Sequence, residues 1–248
     1  MAMKTHIILV LLALLCMGCA REQMDDCLTS TGPERSEVRE LGSFRLVDLD
    51  DRIDLVLDDL PAGTVVVEAG RNLLEQVHTE RDGEVLRVRN GNTCNWVRSF
   101  KPRITVRVPI GTVDELMLRG TGRVSATDTV RHQTFRIEQR SGHGSTELVL
   151  DVQQCFVGLH TGAGDVVLHG RTSANCNLYS ATLGAIDASG MRARSVNITN
   201  AGVADIRCWV DVLLDARILG VGDVYYRGDP SGVQSEITGS GELIRLDP

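Results

Sequence analysis

The chain has 248 residues, room for one large or two modest domains. Only 4 % of the residues are aromatic while 25 are glycine, which argues against a core of bulky rings and for many thin aliphatic layers. The net charge of -7 argues against nucleic acid, whose phosphates call for a basic face, and the basic residues are almost all arginine, with lysine only at Lys4 and Lys101.

In chain order, the first element is "MAMKTHIILVLLALLCMGC". Lys4 precedes an apolar run from Ile7 to Met17 that is shorter than the roughly 20 residues a spanning helix needs. It reads as a secretory signal over 1–18. Gly18 before Cys19 resembles a bacterial lipobox, with Cys16 where leucine is usual, and makes Cys19 the lipid-bearing first residue of the mature chain. The alternative is an ordinary signal peptide cut slightly later. Lipid chains on Cys19 would hold the protein to a membrane, each buried CH₂ contributing about 0.8 kcal/mol. Residues 19–41 are polar and charged, carry Gly32-Pro33, and read as a flexible tether.

Residues 42–118 are rich in strand patterns, among them "RIDLVLDD", "TVVVEAG", "EVLRVRN" and "RITVRVP", with DG and NG turn signals between some of them. No period is visible. The strands read either as early, irregular coils or as a small sheet capping an open end, since an exposed terminal rung is a pairing edge.

From 119 to 248 a phrase recurs: "RGTGRVSA", "TGAGDVVLHG", "LGVGDVYYRG", "TGSGELIRL". Its marker falls at Gly122, Gly144, Gly164, Gly184, Ala204, Gly222 and Gly241, at spacings of 22, 20, 20, 20, 18 and 19. Two residues on stand Val124, Thr146, Val166, Ile186, Ile206, Val224 and Leu243, and a second alternating segment follows, such as Cys155/Val157 and Cys176/Leu178. No such unit buries its apolar face alone. Stacked coils of about 20 residues do, with rungs about 4.8 Å apart and glycines at the corners. The fold expected is therefore all-β, a parallel β-helix; a β-sandwich with regular turns is the alternative.

The segment "VEAGRNLLEQVHTERDGEVLRVRN" (67–90), the "VRVP" element (106–109) and the "LMLRGTGRVSA" and "GAGDVVLHG" phrases resemble the putative auto-transporter adhesin, head GIN domain family, over about 42–246. The resemblance implies a right-handed β-helix and a bacterial envelope protein, often a lipoprotein. It supplies no catalytic residues.

Chemistry is sparse in the sequence. GxSxG, HExxH and P-loop motifs do not occur, the one CxxC spacing is Cys16–Cys19 within the signal and lipobox segment, and no cofactor is expected. His143, His160 and His169 lie at or beside corners and read as exposed. Cys155 and Cys176 fall one rung apart on the inward side and read as inert core thiols, whereas Cys27–Cys94 is a candidate bridge. Asp165, Asp205, Asp223 and Glu242 follow the marker, with Ala185 interrupting. Stacked like charges repel, so this acidic ladder reads as solvated corners or as a candidate cation site.

These features point to an exported, lipid-anchored, non-catalytic protein of the cell envelope, in the outer membrane. It would present a β-helical surface to a glycan or to another envelope protein. The competing expectation is a polysaccharide-active lyase or hydrolase, which requires an acid/base constellation in a groove. A purely structural or sensory envelope component is the third.

Overall fold

The computed structural model describes residues 31–92 and 103–246. The signal, Cys19, Cys27 and Cys94 lie outside the described residues.

The repeat folds as its spacing predicts. Strands β10 (Val130–Gln139), β11 (Ser145–Leu159), β12 (Val166–Ser180), β13 (Ile186–Asn200) and β14 (Ile206–Ile218) stack in parallel. Thr146, Val166, Ile186, Ile206 and Val224 form one in-register inward column. Phe135, Cys155, Cys176, Val196 and Leu214 form another. Within β11 the buried positions change phase near Gln153 and Gln154, where the register also shifts, so one strand serves two walls of the coil. The alternation of aliphatic and polar residues thus closes a β-solenoid around a dry interior.

Backbone approach at the corners explains the glycines. A Cβ on Gly164 would run into the carbonyl oxygen of Gly144, one coil back, and Gly142 also holds φ at +123°. Both conditions exclude side chains.

Residues 42–118 belong to the same solenoid, threaded out of order. The first coil in the chain, β2 (Leu46–Leu49) with β3 (Asp54–Asp58), is not at the end of the stack. On one side it pairs with β6 (Val85–Asn90) and β7 (Thr105–Pro109), on the other with β8 (Glu115–Leu118) and β9 (Arg123–Ala126). The partly buried Asp48 carboxylate joins the three rungs, 3.1 Å from Arg89 and 3.0 Å from Arg119. Nearest rungs are therefore far apart in sequence, and a short period cannot show there.

Antiparallel strands cap this end. β4 (Thr64–Gly70) lies against β7, β1 (Glu34–Glu40) against β4, and β5 (Val77–Asp82) against β6. Irregular coils and cap, posed as alternatives, are both present. The strand β1 corrects the expected tether, whose last residues are part of the sheet. Its exposed edge carries Glu34, Arg35, Glu37, Arg39 and Glu40, charges that discourage edge pairing.

At the other end β15 (Val224–Arg227), β16 (Gly232–Ile237) and β17 (Leu243–Arg245) complete the stack. Val233 and Ile237, in register with the buried Leu214 and Ile218, are 43 % and 48 % exposed because no described rung covers them. The core is otherwise aliphatic, with Phe44 and Phe135 buried and Cys155, Cys176 and Cys208 as buried free thiols.

Candidate functional site

The acidic ladder is built into the corners. Asp165 accepts the backbone N–H of Ala185 at 2.9 Å, Asp205 that of Asp223 at 3.1 Å, and Asp223 that of Glu242 at 2.8 Å. Each carboxylate thus ties its coil to the next, a charge-assisted bond that also disperses the negative charge. The second oxygens of two of them are engaged as well: Arg207 donates to Asp205 at 3.3 Å and the Tyr225 hydroxyl to Asp223 at 3.1 Å. That carboxylate in turn raises the Tyr225 phenol above its ordinary pKa. Asp54 makes the same bond to the N–H of Arg123 at 2.8 Å, a member of the ladder that its isolated position in sequence conceals. Among the described residues no three His, Cys, Asp or Glu side chains group to hold a metal ion.

The histidines divide. His143 is exposed at its corner, and His169 lies 3.7 Å from Glu147. His160 differs from the exposed corner residue expected: its Nε2 is 2.6 Å from Oε2 of Glu138, on the preceding coil.

That pair stands at the floor of a notch of about 240 Å³ on the wall formed by β10 to β13. Outward residues there make two columns. Arg136, Phe156, Asn177 and Asn197 are in register along one, and Glu138, Gly158, Tyr179 and Thr199 along the other. Gly158, the last residue but one of β11, has no positive φ, and a Cβ there would approach Glu138 Oε2 to 2.7 Å and His160 Nε2 to 2.9 Å. The missing side chain makes the room in which carboxylate and imidazole meet.

The surroundings are ordered. Arg136 donates to Glu138 at 3.2 Å while its guanidinium lies 4.4 Å from the Phe156 ring centroid. Tyr179 keeps 37 % of its surface exposed, with its ring 5.3 Å from that of His160. Asn197 donates to Asn177 at 3.1 Å. The notch offers hydrogen-bonding groups and one open aromatic ring. Nothing in the sequence singles out Glu138, Phe156 and Tyr179, because ordinary strand residues acquire meaning only through the stacking register.

A family model, putative auto-transporter adhesin, head GIN domain, matches residues 43–230. Among solved structures, a putative adhesin from Bacteroides fragilis is similar at a TM-score of 0.77 and 21 % identity, covering 88 % of this chain and 100 % of that one. A putative lipid binding protein from Parabacteroides distasonis gives 0.68 and 18 %, over 88 % and 99 % of the two chains. A putative adhesin from the same species gives 0.60 and 18 %, with the same coverage. These likenesses carry the fold. Among curated proteins nothing matches the sequence.

Proposed function

The chain belongs to the putative auto-transporter adhesin, head GIN domain family, and from that membership we propose that it is a non-catalytic adhesion scaffold of the cell envelope. Cys19 carries the lipid that anchors it in the outer membrane. The observation that carries the reading is the wall formed by β10 to β13, where outward positions fall in register from coil to coil. A periodic surface of that kind suits an extended partner better than a small, enclosed substrate.

Support for a lyase or hydrolase is lacking. The corner carboxylates accept main-chain amides, a structural task, and the family and two of the three similar structures are described as putative adhesins. No helix among the described residues is long and apolar enough to cross a membrane, so the reading gives the anchoring to the lipid.

The test is made on the full chain in a bacterial host. The protein should pellet with membranes and increase retention of the cells on glycan-coated or envelope-protein-coated surfaces. Cys19→Ala should release it in soluble, exported form and abolish the gain. Membrane association that survives Cys19→Ala, or no gain in retention from the native chain, would overturn the proposal.

A further inference from the structure

We propose that the Gly158 notch is a carbohydrate-binding site, and that a neutral glycan chain lies along the wall with successive sugar rings over successive coils. This rests on the adhesin reading and names its partner class.

Three observations carry it. The first is the glycine itself. Glycine within a strand weakens it and commonly marks close approach of a ligand or another backbone. The glycines at the marker corners face carbonyl oxygens of the preceding coil, whereas the atoms nearest Gly158 belong to the Glu138 and His160 side chains. Its absent side chain leaves the space that the Glu138 and His160 side chains occupy, and so sets that pair into the wall.

The second is the combination of groups around that pair. A pyranose ring has an apolar C–H face and a rim of hydroxyls, and so calls for an aromatic surface beside planar hydrogen-bonding groups. Tyr179 supplies the surface and is more than a third exposed. Glu138 and His160 at the floor, and the Asn177 and Asn197 amides beside it, supply acceptors and donors.

The third is charge and repeat. The Glu138 carboxylate is met by His160 at 2.6 Å, Arg136 at 3.2 Å and Arg140 at 4.0 Å. The Arg136 guanidinium is thus bonded to that carboxylate and lies over the Phe156 ring, which engages it within the wall. The hydrogen-bonding positions then recur one coil on, Asn177 to Asn197 and Tyr179 to Thr199, at the rung spacing of about 4.8 Å. That spacing is of the order of one sugar residue, which sets the direction of the chain along the solenoid axis.

The experiment uses the full-length, detergent-solubilised protein in calorimetric titrations with neutral oligosaccharides of β-1,4-linked glucose and of N-acetylglucosamine, and with a sulfated heparin fragment. Saturable binding of a neutral oligosaccharide is expected, tightening with the number of sugars. Tyr179→Ala and Asn177→Ala should weaken it by about tenfold, with melting temperatures held near the native value. Arg171→Ala, away from the notch, should leave binding unchanged. Binding of the heparin fragment alone, no binding of either neutral sugar, or affinity untouched by Tyr179→Ala and Asn177→Ala would overturn the site. If the native chain still increases cell retention under any of those results, the adhesin reading stands and only the site falls.

Discussion

The Asp54 carboxylate holds the backbone N–H of Arg123, 69 residues later, at 2.8 Å. Asp165 holds Ala185, 20 residues later, in the same way at 2.9 Å. One corner bond therefore serves both the out-of-order coils and the regular ones. The acid after the glycine is an acceptor for the next rung, which gives the recurring phrase a physical reason for its fifth letter as well as for the glycines at its second and fourth.

Replacing that acceptor tests the bond. Asp165→Ala should cost about 0.5–1 kcal/mol, the net worth of a hydrogen bond near the surface. Asp165→Asn keeps an acceptor oxygen and should cost less. Thermal unfolding of the two variants measures the difference. No loss in either variant would mean that the carboxylate bond contributes nothing.

The threading of the first coil has its own test. Asp48 is 11 % exposed at its side chain and receives guanidiniums from both neighbouring coils, Arg89 and Arg119. Asp48→Asn leaves two cations facing a neutral amide and should destabilise by about 1–3 kcal/mol. Glu37→Gln on exposed β1, whose partner Arg39 keeps its bonds to Val77 and Thr79, should cost less than about 0.5 kcal/mol. Denaturant unfolding compares the two. A mild effect at Asp48 would contradict a coil held between β6 and β8.

How much of this was legible follows from how the rungs are ordered. Where neighbouring coils are also neighbours in sequence, glycine spacing gave the corners and placed Val166, Ile186 and Ile206 inside, as they are. Thr146 broke the apolar pattern yet is buried in the same column, because position and not polarity fixes its direction. Before Gly122 the reasoning had nothing to count: Leu46 pairs with Val85 and with Glu115, and Asp54 lacks the glycines that mark its counterparts. Glu138 and His160 were hidden differently. They lie 22 residues apart on adjacent coils, and their meeting depends on a glycine that looked like any other.

The core thiols carry a pH signature. Burial pushes Cys208 from 9.0 up to about 12, and the neighbouring Cys155, together with burial, raises Cys176 well above its ordinary value. Folding therefore favours the neutral thiols. Their contribution is complete below pH 9, where the unfolded thiols are also protonated, and for Cys208 it is lost as pH rises towards about 12. Mass spectrometry after iodoacetamide treatment at pH 8 should find Cys155, Cys176 and Cys208 unmodified in the native protein and modified in urea. Rapid native labelling at these three positions would contradict their burial.

The central claim, that the solenoid holds a partner without transforming it, is tested most directly by the time course of cell retention. Cells displaying the full-length chain are left on a neutral polysaccharide surface, and the bound fraction is followed together with reducing ends in the medium. The account predicts retention above that of the host cells, steady over hours, with no new reducing ends. Retention no better than the host, or retention that decays as reducing ends accumulate, would contradict it.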